Sequence, residues 1–209
     1  MKKDLKHYFS FKVSDIAEIS ILVAVAILLD KLLTIRLGSS GGSLNFSTVP
    51  LFIIALRHGP FKGFIASGVI FGLISCLIDG YGLACFPLEY LLAFGLIGYL
   101  GFYANSIYNS FGESKKQTAL CYILIAICVL VWAVLRLFLA SIDSMLLWGY
   151  DFDAALTYNL TYTLPTAIAV LVLLVAGLAT INHLNHIRPS SFLKAENSKI
   201  QLKKEWDFE

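Results

Sequence analysis

The chain has 209 residues, of which 58% are hydrophobic and only 14% charged, with a formal net charge of +2. Soluble proteins carry about 25% charged residues, so this composition leaves no room for a second, soluble domain. The small positive charge comes from lysines flanking apolar runs and reports membrane orientation rather than a nucleic-acid surface.

In chain order the apolar runs are Asp15–Ile35, Ser47–Leu56, Gly63–Ile78, Leu83–Ala104, Ala119–Ile142 and Ala154–Ile181. They predict an all-α integral membrane protein, a bundle of six transmembrane helices. About 20 residues cross the hydrocarbon core, so four of the six are long enough outright. The second and third are short. They meet at Arg57-His58-Gly59-Pro60, a charged break ending in a helix-stopping proline, which predicts a broken hairpin.

Loop charge then sets the orientation. Lys2, Lys3, Lys6 and Lys12 precede span 1, Arg57 and Lys62 join spans 2 and 3, and Lys115 and Lys116 join spans 4 and 5. Arg188, Lys194, Lys199, Lys203 and Lys204 follow span 6. The other loops hold Asp79, or Asp143, Asp151 and Asp153, or no charge at all. Basic segments stay in the cytoplasm, so both termini are expected there, with Lys31 and Arg36 against the trend and Arg136 inside span 5. The expected organisation is a basic cytoplasmic segment over 1–14, a membrane domain over 15–184 and a cytoplasmic tail over 185–209. The first apolar run is too long for a signal-peptide core and lacks a small-residue cleavage site, so it reads as span 1 itself. The tail Pro189–Glu209 reads as solvated or surface-lying.

Absent motifs narrow the chemistry. There is no Gly-x-x-x-x-Gly-Lys-Ser/Thr loop for nucleotide phosphates, no His-Glu-x-x-His pair and no Gly-x-Ser-x-Gly elbow. The chain is not expected to hydrolyse ATP by itself, to be an enzyme, or to need a cofactor or metal. Cys76, Cys85, Cys121 and Cys128 are scattered through apolar runs and read as packing residues, with no bridge between Cys76 and Cys85 expected.

Charged groups cost about 2.5–3.5 kcal/mol on insertion scales, so each one inside a span needs a partner or a wet cavity. Glu89, one turn into span 4, either reaches headgroup water, pairs with Arg136, or accepts from a donor-rich ligand in an outward pocket. Arg136 lies toward the outer end of span 5, within reach of Glu89, Asp143 or a ligand. Trp148 ends that span, as an interfacial anchor or a pocket wall. Span 6 opens with Thr157, Tyr158, Asn159, Thr161, Tyr162 and Thr163, a polar start that suits a cavity lining better than a lipid face. Asp79, Tyr81 and Phe86 fall on the same outer side. The neutral loop Gly38-Ser39-Ser40-Gly41-Gly42-Ser43 reads as a linker or a lid. On span 1, Ser20 and Ala24 form a small-x-x-x-small step for close helix approach, within the chain or by a partner.

Several of these runs resemble one family. The runs Gly41-Gly42-Ser43, Val49-Pro50-Leu51-Phe52 through Arg57-His58-Gly59-Pro60-Phe61-Lys62-Gly63, Pro87-Leu88-Glu89-Tyr90 and Thr157-Tyr158-Asn159-Leu160-Thr161-Tyr162-Thr163-Leu164-Pro165 resemble the thiamine-specific substrate-binding (S) subunits, the ThiT type, of energy-coupling factor (ECF) transporters. The resemblance covers about Asp15 to Ile181. It implies a vitamin pocket open to the outside and closed by the loop between spans 1 and 2. It also implies partners, a membrane coupling subunit of the EcfT type and two cytoplasmic ATPases, with Ser20 and Ala24 on the coupling face. In the same terms Glu89 is the acceptor for the aminopyrimidine, Tyr90 the aromatic beside it, Trp148 the stacking indole and Asn159 the amide that bonds the pyrimidine. Tyr158, Tyr162, Asp79, Arg136 and Phe71 complete the expected pocket. The departures are a lid loop without tryptophan, Phe71 in place of a possible tryptophan, no histidine near Gly80, and Ala154 where a tyrosine is expected. They leave open an S subunit for another small vitamin or a precursor such as hydroxymethylpyrimidine. From a different class, an intramembrane enzyme or assembly factor using Glu89 and Arg136 is the competing reading. The implied location is a bacterial plasma membrane.

Overall fold

The computed structural model describes residues 11–33, 35–36 and 43–206. Each apolar run is built around a helix. In chain order the elements are α1 (Val13–Leu32), β1 (Ile35–Arg36), β2 (Ser43–Leu44), α2 (Thr48–His58), α3 (Pro60–Asp79), α4 (Leu83–Phe102), α5 (Ala104–Ser110), α6 (Lys115–Trp148), α7 (Phe152–Ile187) and α8 (Ser191–Trp206). The two strands form a short antiparallel ribbon with Ile35 opposite Leu44. The glycine-rich centre of the expected lid, Gly38–Gly42, lies outside the described residues, as do Lys2, Lys3 and Lys6.

Among the described residues, four helices, α3, α4, α6 and α7, are long and apolar enough to cross a membrane. That set differs from the expected one. Pro60 opens α3 directly, so α3 reaches 20 residues and crosses where sixteen were expected. α1 is also 20 residues long but holds Asp15, Glu18, Asp30 and Lys31 toward its two ends. α2, at 11 residues, spans only about 16 Å. Along α6 the apolar residues Ile123, Ile127, Leu130, Val134 and Phe138 are all exposed, a continuous stripe suited to acyl chains.

The hairpin between α2 and α3 turns at Gly59, whose φ of 85° is reserved for glycine, and Pro60 follows at the first helical position. α4 crosses this turn in backbone contact. A Cβ on Gly101 would stand 2.4 Å from the Gly59 carbonyl carbon and the Pro60 nitrogen. Two stretches, Ile65–Phe71 in α3 and Phe86–Leu92 in α4, widen to π-helical turns. The second of these carries Glu89 and Tyr90. Between the helices Trp132 is fully buried, its Nε1 donating to the Ala93 carbonyl at 2.9 Å and its ring edge-on to Phe52.

One end of the bundle is tied by buried charge. Lys62 donates to Asp15 at 2.7 Å and to Ser191 at 2.9 Å, and Arg57 pairs with Glu18 and donates to Asn185 at 2.7 Å. His58 lies between the Asp15 and Glu18 carboxylates. The tail departs from the solvated or surface-lying segment expected. Its first turn is docked, with Phe192 and Leu193 buried against Ala104 and Tyr108, and with Ser190 and Ser191 donating to the Arg57 carbonyl and to Asp15. All four cysteines are free and buried.

Candidate ligand-binding cavity

A cavity of about 650 Å³ opens at the opposite end, where α1 finishes, α3 passes to α4 and α6 passes to α7. That volume lies in the range of small-molecule sites, about 300–1,000 Å³. Left-handed glycines build its rim. Gly80, at φ 73°, ends α3 after Asp79, and Gly149, at φ 68°, ends α6 after Trp148.

Eight of the nine expected residues meet here: Asp79 from α3, Glu89 and Tyr90 from α4, Arg136 and Trp148 from α6, and Tyr158, Asn159 and Tyr162 from α7. Phe71 does not. It is fully buried and packs edge-on against Phe94, centroids 4.9 Å apart, so the wall is Phe94 and Phe71 stands behind it in the core. Ser20 and Ala24 lie away from the cavity, exposed on α1.

The structure adds residues that the sequence did not single out for the pocket: Asp30, Lys31, Asn45, Ser144 and Tyr150, with Asp143 and Tyr81, which had been placed only on the outer side. Lys31, an exception to the charge rule, is neutralised by Asp30 and Asp79, each at 2.6 Å. Asp79 also accepts from the Tyr90 hydroxyl at 2.8 Å. Asn45, just after β2, donates through its side chain to Asp30 and through its backbone to Thr166 at 3.3 Å, fixing the ribbon's return strand over α1 and α7. No sequence pattern announces the Lys31–Asp79 and Asn45–Thr166 bonds, which join residues 48 and 121 positions apart.

Among the described residues, four carboxyl groups, Asp30, Asp79, Glu89 and Asp143, face two cations, Lys31 and Arg136. This acid excess suits a cationic ligand. Among the described residues, no hydrogen bond or ion pair engages Glu89; Arg136 attracts it without touching it. Arg136 is itself buried, lies over Phe94 at 4.5 Å, and leaves Nε and Nη1 without hydrogen-bond partners. A structural Glu89–Arg136 bridge is therefore not what these two groups form. Aromatic rings flank the opening: Tyr81 stands edge-on to Trp148 at 6.2 Å, and Tyr158 lies between Tyr150 and Tyr162. Such rings favour a permanent cation by about 0.5–2 kcal/mol.

A family model described as thiamine transporter protein (Thia_YuaJ) matches residues 16–186. The chain belongs to this family. It is therefore a multi-pass membrane transport protein and not an enzyme. The thiamine transporter ThiT of Bacillus subtilis is 29% identical over 169 residues, 75% of this chain and 86% of that relative. The solved structure of ThiT from Listeria monocytogenes shares the fold, with a TM-score of 0.68 at 22% identity, covering 80% of this chain and 94% of that one.

Proposed function

We propose that this chain is the thiamine-binding S subunit of an ECF-type importer in a bacterial plasma membrane. Six helices span the membrane, segments 1–14 and 185–209 lie in the cytoplasm, and the cavity faces out. A membrane coupling subunit and two cytoplasmic ATPases complete the transporter, the former docking on the α1 face that carries Ser20 and Ala24. The observation that carries the reading is the unpartnered Glu89 carboxylate on the same cavity as a partner-free Arg136 edge. Thiamine answers both needs. Its aminopyrimidine offers an amino donor and ring-nitrogen acceptors, and its thiazolium is a fixed cation for the rings of Trp148, Tyr158 and Tyr90.

Charge placement supports the orientation. Among the residues whose side chains are described, Lys12, Arg57, Lys62, Lys115, Lys116, Arg188 and Lys194 lie at or next to the helix ends away from the cavity. Near the cavity, the cations whose side chains are described are Lys31, held by two carboxylates, and Arg136. Exposure of Ser20 and Ala24 leaves their small side chains open to another helix.

The test is mass spectrometry of small molecules carried through purification, followed by calorimetry of the purified chain. Thiamine is expected in the first and tight binding in the second. No heat and no thermal protection by thiamine would remove the substrate assignment. Purification from its own cells without a coupling subunit or ATPases would remove the ECF assignment.

A further inference from the structure

Two of the four free cysteines meet at one turn. Cys76 stands in the last turn of α3 and Cys85 in the first turn of α4. The Gly82 carbonyl oxygen serves both, accepting from the Cys76 thiol at 3.6 Å and from the Cys85 backbone N–H at 3.3 Å. The Cys85 thiol lies 3.8 Å from the neighbouring carbonyl, that of Tyr81, and also faces the Asp143 carboxylate. A thiol is a weak donor, so little is lost when either one turns from its acceptor toward the other. Nothing stands within 4 Å of where a Cβ would be on Gly80 or Gly82, which leaves the turn room to adjust. The two thiols differ in access. Cys85 lines the cavity, whereas Cys76 is 2% exposed and sits next to it in the core. Cys121 and Cys128 are buried along α6, away from the cavity.

We infer that Cys76 and Cys85 are a thiol–disulfide redox pair at the cavity mouth: Cys85 meets a small disulfide that enters the cavity, and Cys76 resolves the product into a bridge between α3 and α4. The reagent carries positive charge or none, because the acid-rich cavity repels an anionic disulfide. Cys85 gives its proton to Asp143, and its sulfur attacks one sulfur of the reagent. A mixed disulfide forms, and one reagent thiolate leaves and takes up that proton. The Cys76 sulfur then attacks the Cys85 sulfur, and the second reagent thiolate leaves with the Cys76 proton. Two protein thiols are oxidised and one disulfide is reduced to two thiols, so no further reactant is needed. The bridge takes the thiol donor away from Asp143 and staples the rim beside Asp79, both of them cavity carboxylates. Oxidation therefore alters the acid wall whatever the cavity binds.

The experiment incubates the full-length protein in detergent with cystamine, a cationic disulfide, or with oxidised glutathione, an anionic one. The chain is then unfolded in an alkylating reagent and weighed by mass spectrometry. Cystamine is expected to lower the alkylated thiols from four to two, with a peptide that joins Cys76 to Cys85. Relative to their rates with the unfolded chain, cystamine should act at least about 10-fold faster than oxidised glutathione, the scale of steering into a charged cleft. Cys76→Ser should stop at the first step, with half of the reagent held on Cys85. Cys85→Ser should keep its remaining thiols free. Four free thiols in the treated wild type overturn the inference, as does a bridge that uses Cys121 or Cys128. So does an adduct on Cys76 in Cys85→Ser, which would reverse the order of access. Equal relative rates for the two reagents overturn the part assigned to the acid wall.

Discussion

The Lys31 ammonium meets Asp79 Oδ1 at 2.6 Å, joining the end of α1 to the end of α3 across the cavity mouth. Asp30 holds the same ammonium, and Asp79 passes its second oxygen to the Tyr90 hydroxyl. One lysine thus braces three helices where a basic residue runs against the charge pattern of the loops. The Lys31 side chain is 26% exposed, so its bonds fall between surface pairs, worth about 0–1 kcal/mol, and buried ones, whose breaking costs about 3–5 kcal/mol.

Lys31→Met leaves Asp30 and Asp79 without their shared cation. A loss of about 1–2 kcal/mol is expected, read as a fall in the melting temperature of roughly 2–8 °C for a chain of this size. Adding Asp79→Asn to that variant should recover part of the loss. Melting curves of the single and double variants check this, and additive losses would mean that the two residues do not interact.

Glu89→Gln tests the binding group. Among the described residues no group bonds this carboxylate, so its removal sacrifices none of their contacts and the empty protein should melt no lower than the wild type. A hydrogen bond to a charged acceptor is worth about 1.5–3 kcal/mol, so thiamine affinity should drop roughly 10-fold or more. Calorimetry and a melting curve on the same sample read both. A lower melting temperature with unchanged affinity would make Glu89 a structural residue.

The residues that could be read from sequence are those whose chemistry is costly in lipid. Glu89, Arg136 and the polar opening of α7 stand out because apolar spans tolerate such groups only beside a cavity or a partner, and the cavity does collect them. Phe71 was misplaced because a phenylalanine costs nothing on either side of a helix. The π-helical turns around it shift the helical period, and the sequence does not encode which of Phe71 and Phe94 faces inward. Ser144 was invisible for the opposite reason: one small hydroxyl in a long apolar helix normally bonds the carbonyl a turn back, and only its approach to Asn159 gives it a role. The docked first turn of α8 depends on Ser191 reaching Asp15, 176 positions away in the chain, which no local pattern records.

At the end away from the cavity, Lys62 and Asp15 form a buried pair, 1% and 2% exposed. Lys62→Met strands the carboxylate with only Ser191 and His58 as neighbours, and a loss of about 3–5 kcal/mol is expected. The cavity lies at the far end of the helices, so thiamine affinity of the folded fraction should stay within about 2-fold of the wild type. Replacing both residues, Asp15→Leu with Lys62→Met, should recover much of the stability because no lone charge remains. Thermal unfolding in detergent measures the first and third expectations, and calorimetry the second.

Gly101→Ala probes the closest helix crossing. Its new Cβ would lie 2.4 Å from the Gly59 carbonyl carbon and the Pro60 nitrogen, backbone atoms that no side-chain rotation can move aside. The α2–α3 hairpin must therefore shift or α4 must withdraw, and a loss above about 4 kcal/mol, with poor accumulation in the membrane, is expected. Gly80→Ala is the matched control. Its Cβ meets open space and only the left-handed φ of 73° opposes it, so a loss of about 1 kcal/mol is expected. Similar losses for the two would show that close approach is not what Gly101 provides.

Ala24→Phe separates capture from delivery. Ala24 is exposed on α1 beside exposed Ser20, so a larger side chain displaces no internal neighbour, and the fold and the cavity should be untouched. Thiamine affinity of the purified chain should equal that of the wild type. A phenyl ring on this small-residue face would hold a second helix away, because such faces work by letting backbones come close. Uptake of labelled thiamine by cells carrying the variant should therefore fall at least about 10-fold, with the coupling subunit lost on purification. Uptake at the wild-type rate would place the coupling contact on another face of the bundle, while a loss of affinity would show that α1 transmits its packing to the cavity through Asp30 and Lys31.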